Sequence, residues 1–245
     1  MRAHQPERLG HDFIQDPHTL YERLRVEGPA HPIIMWGGLR AWLVTGYVEA
    51  KALLTDPRLG KDHFRALRLF PPGTAGPHAS PLAANMLHAD PPDHTRLRRL
   101  VNKAFAVRAV AHLRTRIELI ADELLQNVDT TSSVDLMQSF ALPLPIRVIS
   151  SLLGVPKADR DKFADWTEPF IGNASPDKLQ WAHNELAAYL GALIAAKRVE
   201  PTDDLLTELV RTSEDGDRLS EQELLAMAFL LIMAGSWPHC ARTQH

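Results

Sequence analysis

The chain has 245 residues, of which 45% are hydrophobic and 23% charged, and its 30 acidic and 27 basic residues leave a formal net charge of −3. That is the make-up of a globular protein with material for one large domain or two small ones, and so even a balance carries no footprint of a nucleic-acid binder. The single cysteine, Cys240, excludes an intramolecular disulfide and fits a reducing cytoplasm, the N-terminus lacks the apolar stretch of a signal peptide, and the longest apolar run, Leu224 to Gly235, falls well short of a membrane span.

Proline and glycine, 18 and 13 residues, divide the chain into segments whose apolar spacing is mostly helical, so the expected fold class is mainly α with a small β-sheet near the N-terminus. Asp16-Pro17 opens a first amphipathic helix that carries Leu20, Leu24 and Val26 and stops at Gly28-Pro29. Ile33 to Trp36 and Ala41 to Thr45 read as two strands on either side of the turn signal Gly37-Gly38. A short helix is expected from Val48 to Leu54. The stretch from Lys61 to Leu87, rich in proline and glycine, is expected to be the least regular part of the chain. Helical spacing then follows at Pro92 to Phe105, Val110 to Val128, Ser139 to Leu153, Lys157 to Ile171, Pro176 to Lys197, Asp203 to Thr212 and Ser220 to Gly235. No repeat and no long linker interrupts this series, so residues 1–235 are expected to form one domain, with 236–245 as a disordered tail.

The segment from His88 to Phe105 carries the most chemistry. Asp90-Pro91-Pro92-Asp93 is a strong helix start, because Asp90 can cap free N–H groups, Pro91 sits where no N–H is needed and Asp93 complements the helix dipole. His94 and Arg98 lie four apart, so both project from one face and can converge on one anionic group. The guanidinium offers a planar pair of donors and the imidazole a third. Leu97, Leu100, Val101, Ala104 and Phe105 form a core-facing stripe, and Arg96, Arg99 and Lys103 a basic outer face. By itself such a pair also fits an ordinary solvated basic face with an incidental histidine.

The run His88-Ala-Asp-Pro-Pro-Asp-His-Thr-Arg-Leu-Arg-Arg-Leu-Val-Asn-Lys-Ala-Phe105 resembles, almost residue for residue, the C-helix signature of bacterial cytochromes P450. Other stretches resemble the same family in the same order. They are Asp16-Pro17-His18-Thr19-Leu20-Tyr21, Trp42-Leu43-Val44-Thr45-Gly46-Tyr47, Asp56-Pro57-Arg58-Leu59, Leu152-Leu153-Gly154-Val155-Pro156 and Asp203-Asp204-Leu205-Leu206. The resemblance runs from about Asp12 to Gly235. It implies haem b as cofactor, with His94 and Arg98 on its propionates. It also implies a monooxygenase that hydroxylates a small organic substrate with electrons from a ferredoxin-type donor, and neither nucleic acid nor membrane as partner. Substrate contacts would come from the loop around Leu67 to Leu87 and from helices near Phe163 to Trp181.

Ser220 and Glu223 form a capping box at the head of a segment apolar almost all round, from Leu224 to Met233, which belongs in an interior. It resembles the family's I helix, which places Ala234 and Gly235 on the distal, oxygen side of the haem. There the likeness stops. Ser236-Trp237-Pro238-His239 stands where the family carries an acid and a threonine, and Pro238 should end the helix. The later Glu-Arg pair and cysteine loop are also missing. Glu22/Arg25 and Glu208/Arg211 show a three-residue spacing by chance, and Cys240 lacks the surrounding glycine and phenylalanine of a haem-ligand loop. His239, Cys240 and His245 are too loosely spaced for a zinc site. The expectation is a truncated cytochrome P450 fold, cut by a frameshift or premature stop inside this helix, with no metal ligand, no catalytic residue and no monooxygenase activity. The rival expectation is a non-catalytic helical ligand-binding or interaction fragment.

Overall fold

Residues 5–10, 13, 16–74, 80–106, 109–129, 131, 133–171, 174–214 and 216–236 are described by the computed structural model of the chain. They fall into two compact units, residues 1–79 and 80–245.

In the first unit, α1 (Pro17–Glu27) starts where expected, with the Asp16 carboxylate accepting from Thr19 N at 3.3 Å, and closes when Gly28 N donates to Leu24 O at 3.0 Å. The sheet has three strands, β1 (Glu7–Arg8), β2 (Ala30–Ile34) and β3 (Arg40–Val44), in the order β1-β2-β3. β1 runs parallel to β2, with Glu7 opposite Ile33, and β3 runs antiparallel, with Ile34 opposite Arg40. β2 thus begins three residues earlier than its spacing predicts and passes through Pro32, whose partner is Trp42. Thr45 N donates to Pro29 O and Met35 N to Leu39 O, so by alternation Pro32 and Trp42 form a pair without mutual hydrogen bonds. The missing N–H of Pro32 therefore points away from β3, at a position that β1 does not reach, and the proline removes no ladder bond. Between the strands, a 3-10 turn over Trp36–Gly38 places Gly37 and Gly38 at φ 72° and 78°, a left-handed pair that glycine adopts without a Cβ penalty. α2 (Tyr47–Leu54) follows, and α3 (His63–Leu67), capped by Asp62, is the one α-helix described within the stretch expected to be irregular.

The second unit is helical. Two 3-10 turns, Pro81–Ala83 and Met86–His88, lead into α4 (Asp93–Ala106), α5 (Ala109–Gln126), α6 (Pro143–Leu152), α7 (Arg160–Ile171), α8 (Pro176–Val199), α9 (Leu205–Arg211) and α10 (Glu221–Ser236). The single helix expected from Ser139 to Leu153 is divided into a π turn at Met137–Ala141 and α6. Pro143 and Pro145 explain the break, since they are tolerated only where a helix start has no N–H to pair. A two-stranded hairpin, β4 (Ser213–Glu214) and β5 (Asp217–Arg218), joins α9 to α10 and was not anticipated.

The core gathers around α10, which packs against α6, α8 and the Pro81–Ala83 turn. Leu224, Met227 and Ile232 of α10 are buried with Leu100, Leu153, Phe163, Leu186, Leu190 and Leu206. A fully buried side chain of this kind contributes about 1.5–3 kcal/mol. Phe229, Leu230, Leu231 and Met233 of the same helix are only partly covered. No described helix is long and apolar enough to cross a membrane.

One junction in this core is polar. Lys197 Nζ, near the end of α8, lies 2.5 Å from Asp204 Oδ2 and donates to Gly154 O at 3.3 Å, and the two charged side chains are only 8% and 5% exposed. Asp204 also caps α9 by accepting from Thr207 N at 2.9 Å. Gly154 has φ 66°, and a Cβ there would collide with both the carboxylate and the ammonium group. Removing one partner of a buried pair strands the other charge. Lys197→Met should therefore lower the unfolding free energy by about 3–5 kcal/mol in urea denaturation, and a loss below ~1 kcal/mol would show that the pair carries no structural weight.

A second contact is sensitive to pH. His183 on α8 shares a hydrogen bond with Ser80 Oγ, and its ring lies 5.4 Å from that of Phe229 and 6.2 Å from that of Phe170. Leu82 N donates to the same Ser80 oxygen at 3.1 Å. Burial pushes the His183 imidazole below its ordinary value. The unfolded chain then takes up the proton first, so this stability is whole above pH about 6.5 and declines as pH falls through the lower folded value. Urea denaturation of wild type and His183→Gln at pH about 7.5 and about 5.5 should show a smaller pH dependence in the variant. Equal dependence would contradict the assignment.

Candidate functional site

The site is built on α4 and depends on how that helix is rolled about its axis. His94 N donates to Asp90 O and Arg96 N to Pro92 O, both at 3.0 Å, so the first turn forms directly after the double proline. Leu97, Leu100, Val101 and Ala104 are all at most 4% exposed and make one stripe along the helix. At about 100° per residue, Arg96 falls on one flank of that stripe and His94 and Arg98 on the other, each about 160° from Arg96.

Arg96 holds its flank in place. Its guanidinium donates to Asp217 Oδ1 at 3.3 Å and Oδ2 at 3.4 Å, on the β4–β5 hairpin, and to Glu223 Oε1 in the first turn of α10. Burial works against this charge, but the Glu223 and Asp217 carboxylates more than offset it and hold the arginine above its ordinary pKa. Glu223 takes part twice, because its other oxygen accepts from Ser220 N at 2.8 Å while Glu223 N donates to Ser220 Oγ at 3.2 Å. The expected capping box is thus present, and it also receives the arginine that orients α4.

Arg96 is therefore not part of an open basic face. Arg99 and Lys103 are exposed but are not without interactions, so the basic outer surface expected on α4 is not a set of free charges. Of the two glutamate–arginine spacings attributed to chance, Arg25 directs its Nε to Thr45 O at 3.2 Å, an ordinary structural role.

On the other flank, His94 is half-buried and Arg98 exposed. Neither side chain has a hydrogen bond or ion pair among the described residues. An unpaired imidazole and guanidinium, one turn apart beside an apolar stripe, fit a group that brings carboxylates on an apolar body, which is the chemistry of the haem edge. Ala234 and Gly235 lie in the last turn of α10, about 16 Å along the helix from Glu223, and Ala234 is exposed. α10 continues through Ser236, and the predicted stop at Pro238 lies outside the described residues. So do Cys240, His239 and His245. Among the described residues no cluster of His, Cys, Asp or Glu is arranged to hold a metal ion.

From the regions expected to meet substrate, the structure brings Ser80 and Phe170 of α7 to His183 of α8, which also meets Phe229 of α10; His183 and Phe229 lie outside those regions. The two phenyl rings are 5.5 Å apart, edge to face. Sequence reasoning missed His183 and Arg96, because their roles rest on partners 103 and 127 residues away.

No family model matches the chain. It is 48% identical over 237 residues to cytochrome P450 107B1 of Saccharopolyspora erythraea, covering 94% of this chain and 58% of that protein. It is 46% identical to the cytochrome P450 monooxygenase PikC of Streptomyces venezuelae, covering 93% of this chain and 54% of the relative. Among solved structures, the P450 monooxygenase TamI bound to tirandamycin C superposes with a TM-score of 0.82 at 47% identity, over 94% of this chain and 60% of that one. The chain thus spans between half and two thirds of the length of these relatives. Agreement of this extent in both sequence and fold shows that the chain belongs to the bacterial cytochrome P450 family.

Proposed function

We propose that this chain carries the propionate anchor and distal wall of a haem-dependent monooxygenase that hydroxylates a small organic substrate, with electrons from a ferredoxin-type donor in a reducing cytoplasm. The observation that supports this most directly is the His94–Arg98 pair, left without protein partners on the flank of α4 opposite the anchored Arg96. Arg98 would take one carboxylate through two N–H donors, and His94 would add a third from the preceding turn. Ala234 and Gly235 would leave room on the oxygen side because neither carries a side chain beyond Cβ. Haem, when bound, supplies the oxygen-activating chemistry, and the polypeptide supplies position and electrostatics.

Residues 1–235 form the P450-type part in this reading, and substrate contacts come from the Ser80, Phe170, His183 and Phe229 region. The stretch Ser236-Trp237-Pro238-His239 stands where the family carries an acid and a threonine, so turnover by residues 1–245 is not expected. The reading as a non-catalytic helical fragment has no observation of its own in favour, since the relatives named are monooxygenases.

Haemin titrated into the chain should bind saturably, and His94→Ala or Arg98→Ala should each weaken it about tenfold through loss of a charge-assisted hydrogen bond. Unchanged affinity in both variants would overturn the anchor. The reduced, carbon monoxide-treated sample should lack a thiolate-type Soret band. A band of that type would show that Cys240 reaches the iron and that the expectation of inactivity is wrong.

A further inference from the structure

The sheet of the first unit has an open edge. β3 pairs with β2 on one side, and among the described residues no strand lies on its other side. Thr45 N donates to Pro29 O and Met35 N to Leu39 O, so by alternation the hydrogen-bonded pairs of the ladder are His31–Leu43 and Ile33–Ala41. The N–H and C=O groups of Arg40, Trp42 and Val44 therefore point outward, away from β2. Proteins commonly blunt such an edge with a proline, a bulge or a charge within the strand. β3 has no proline, its register against β2 is regular, and its one charged residue, Arg40, stands at its first position. Ala41 and Leu43 share the inner face with the buried His31 and Ile33, which leaves Arg40, Trp42 and Val44 on the outer face, where Trp42 is 70% exposed.

The charges around this edge define what fits it. Gly46, just past the strand, is still extended at φ −77° and ψ 127°, so it continues the face of Arg40, Trp42 and Val44. The Glu49 carboxylate folds back from the first turn of α2 into the place that a Cβ of Gly46 would take. Arg40 and Glu49 are both exposed, and neither has an ion pair among the described residues. The edge thus carries a cation at its start and an anion just beyond its end. An antiparallel strand with the same order of charges complements it, and the chain itself supplies that strand.

We propose that two copies of this chain pair through β3, antiparallel about a two-fold axis at Trp42. Trp42 exchanges two hydrogen bonds with Trp42 of the second copy, and Arg40 of each copy does the same with Val44 of the other. The two indole rings meet on the outer face. Arg40 lies diagonally across from Gly46 of the second copy at about 7–8 Å, within reach of the Glu49 carboxylate that rests there. Symmetry repeats this ion pair at the other end of the strand. The two Arg40 side chains stand about 14 Å apart along the strands, beyond the screening length of about 8 Å in physiological salt. A parallel copy would instead place like charges side by side. The pairing uses none of the residues assigned to haem or substrate.

The test is sedimentation equilibrium of the full chain over a wide range of micromolar concentrations. A monomer–dimer equilibrium is expected, weakened by added salt. Arg40→Glu, which sets two anions against each other at both ends, should weaken it about tenfold, and the charge swap Arg40→Glu/Glu49→Arg should restore it. Trp42→Pro should abolish it, because the N–H removed makes no bond to β2 but two such groups lie at the centre of the dimer. If Trp42→Pro does not fold, the charge variants decide. The proposal is overturned by a monomer at every concentration, by association that Arg40→Glu leaves unchanged, by a charge swap as weak as Arg40→Glu alone, or by growth beyond a dimer.

Discussion

The roll of α4 about its own axis is the constraint on which the functional reading rests. Three contacts set it together. A buried stripe from Leu97 to Ala104 faces the core, Arg96 on one flank is tied to Asp217 and Glu223, and the first turn follows directly from the double proline. A rotation of α4 by one residue would turn Arg96 or Arg98 toward the core in place of Leu97. A guanidinium bound to two carboxylates on separate elements cannot follow such a rotation without losing charge-assisted hydrogen bonds. His94 and Arg98 are thereby kept on the flank that the protein leaves unpaired, a form of preorganisation for an anionic ligand.

The polar junction at Lys197 plays a similar part for the rest of the second unit. Gly154 ends the segment after α6, Asp204 begins α9, and Lys197 closes α8, so one buried cation fixes three chain ends. An ion pair this far from water gains little net stability over an apolar substitute but heavily penalises any arrangement that separates its members. It defines where α9 starts, and α9 in turn supplies Leu205, Leu206 and Leu209 to the core around α10.

Much of this was legible in the sequence, for identifiable reasons. Local signals placed the helix starts well: Asp16 before Pro17 and the Ser220–Glu223 box both cap as their residue types suggest. The apolar stripe of α4 and the site of His94 and Arg98 upon it were also readable, since both depend only on helical spacing. What escaped was non-local. Leu152-Gly154 and Asp203-Asp204 appeared as two separate family-like stretches, and nothing in either announces that Lys197 joins them in space. Arg96 looked like a surface charge because its partners come from α10 and a hairpin that periodicity did not reveal, although the Asp215-Gly216 dipeptide was a turn signal that went unused. β2 starts three residues before the expected Ile33 and runs through Pro32, and only the pairing register shows that the absent N–H of this proline falls on the side where no bond is needed.

The central claim concerns carboxylates, so the most direct measurement varies them on the ligand while leaving the protein intact. Haemin and its dimethyl ester share the same apolar ring and differ at the two acidic groups. Affinities of both for wild type and for the His94→Ala/Arg98→Ala double variant form a thermodynamic cycle. The account predicts that esterification weakens binding to wild type by about a hundredfold, the sum of two charge-assisted contacts, and has little effect on the double variant. An equal loss on esterification in both proteins would show that the acidic edge is held elsewhere or not at all.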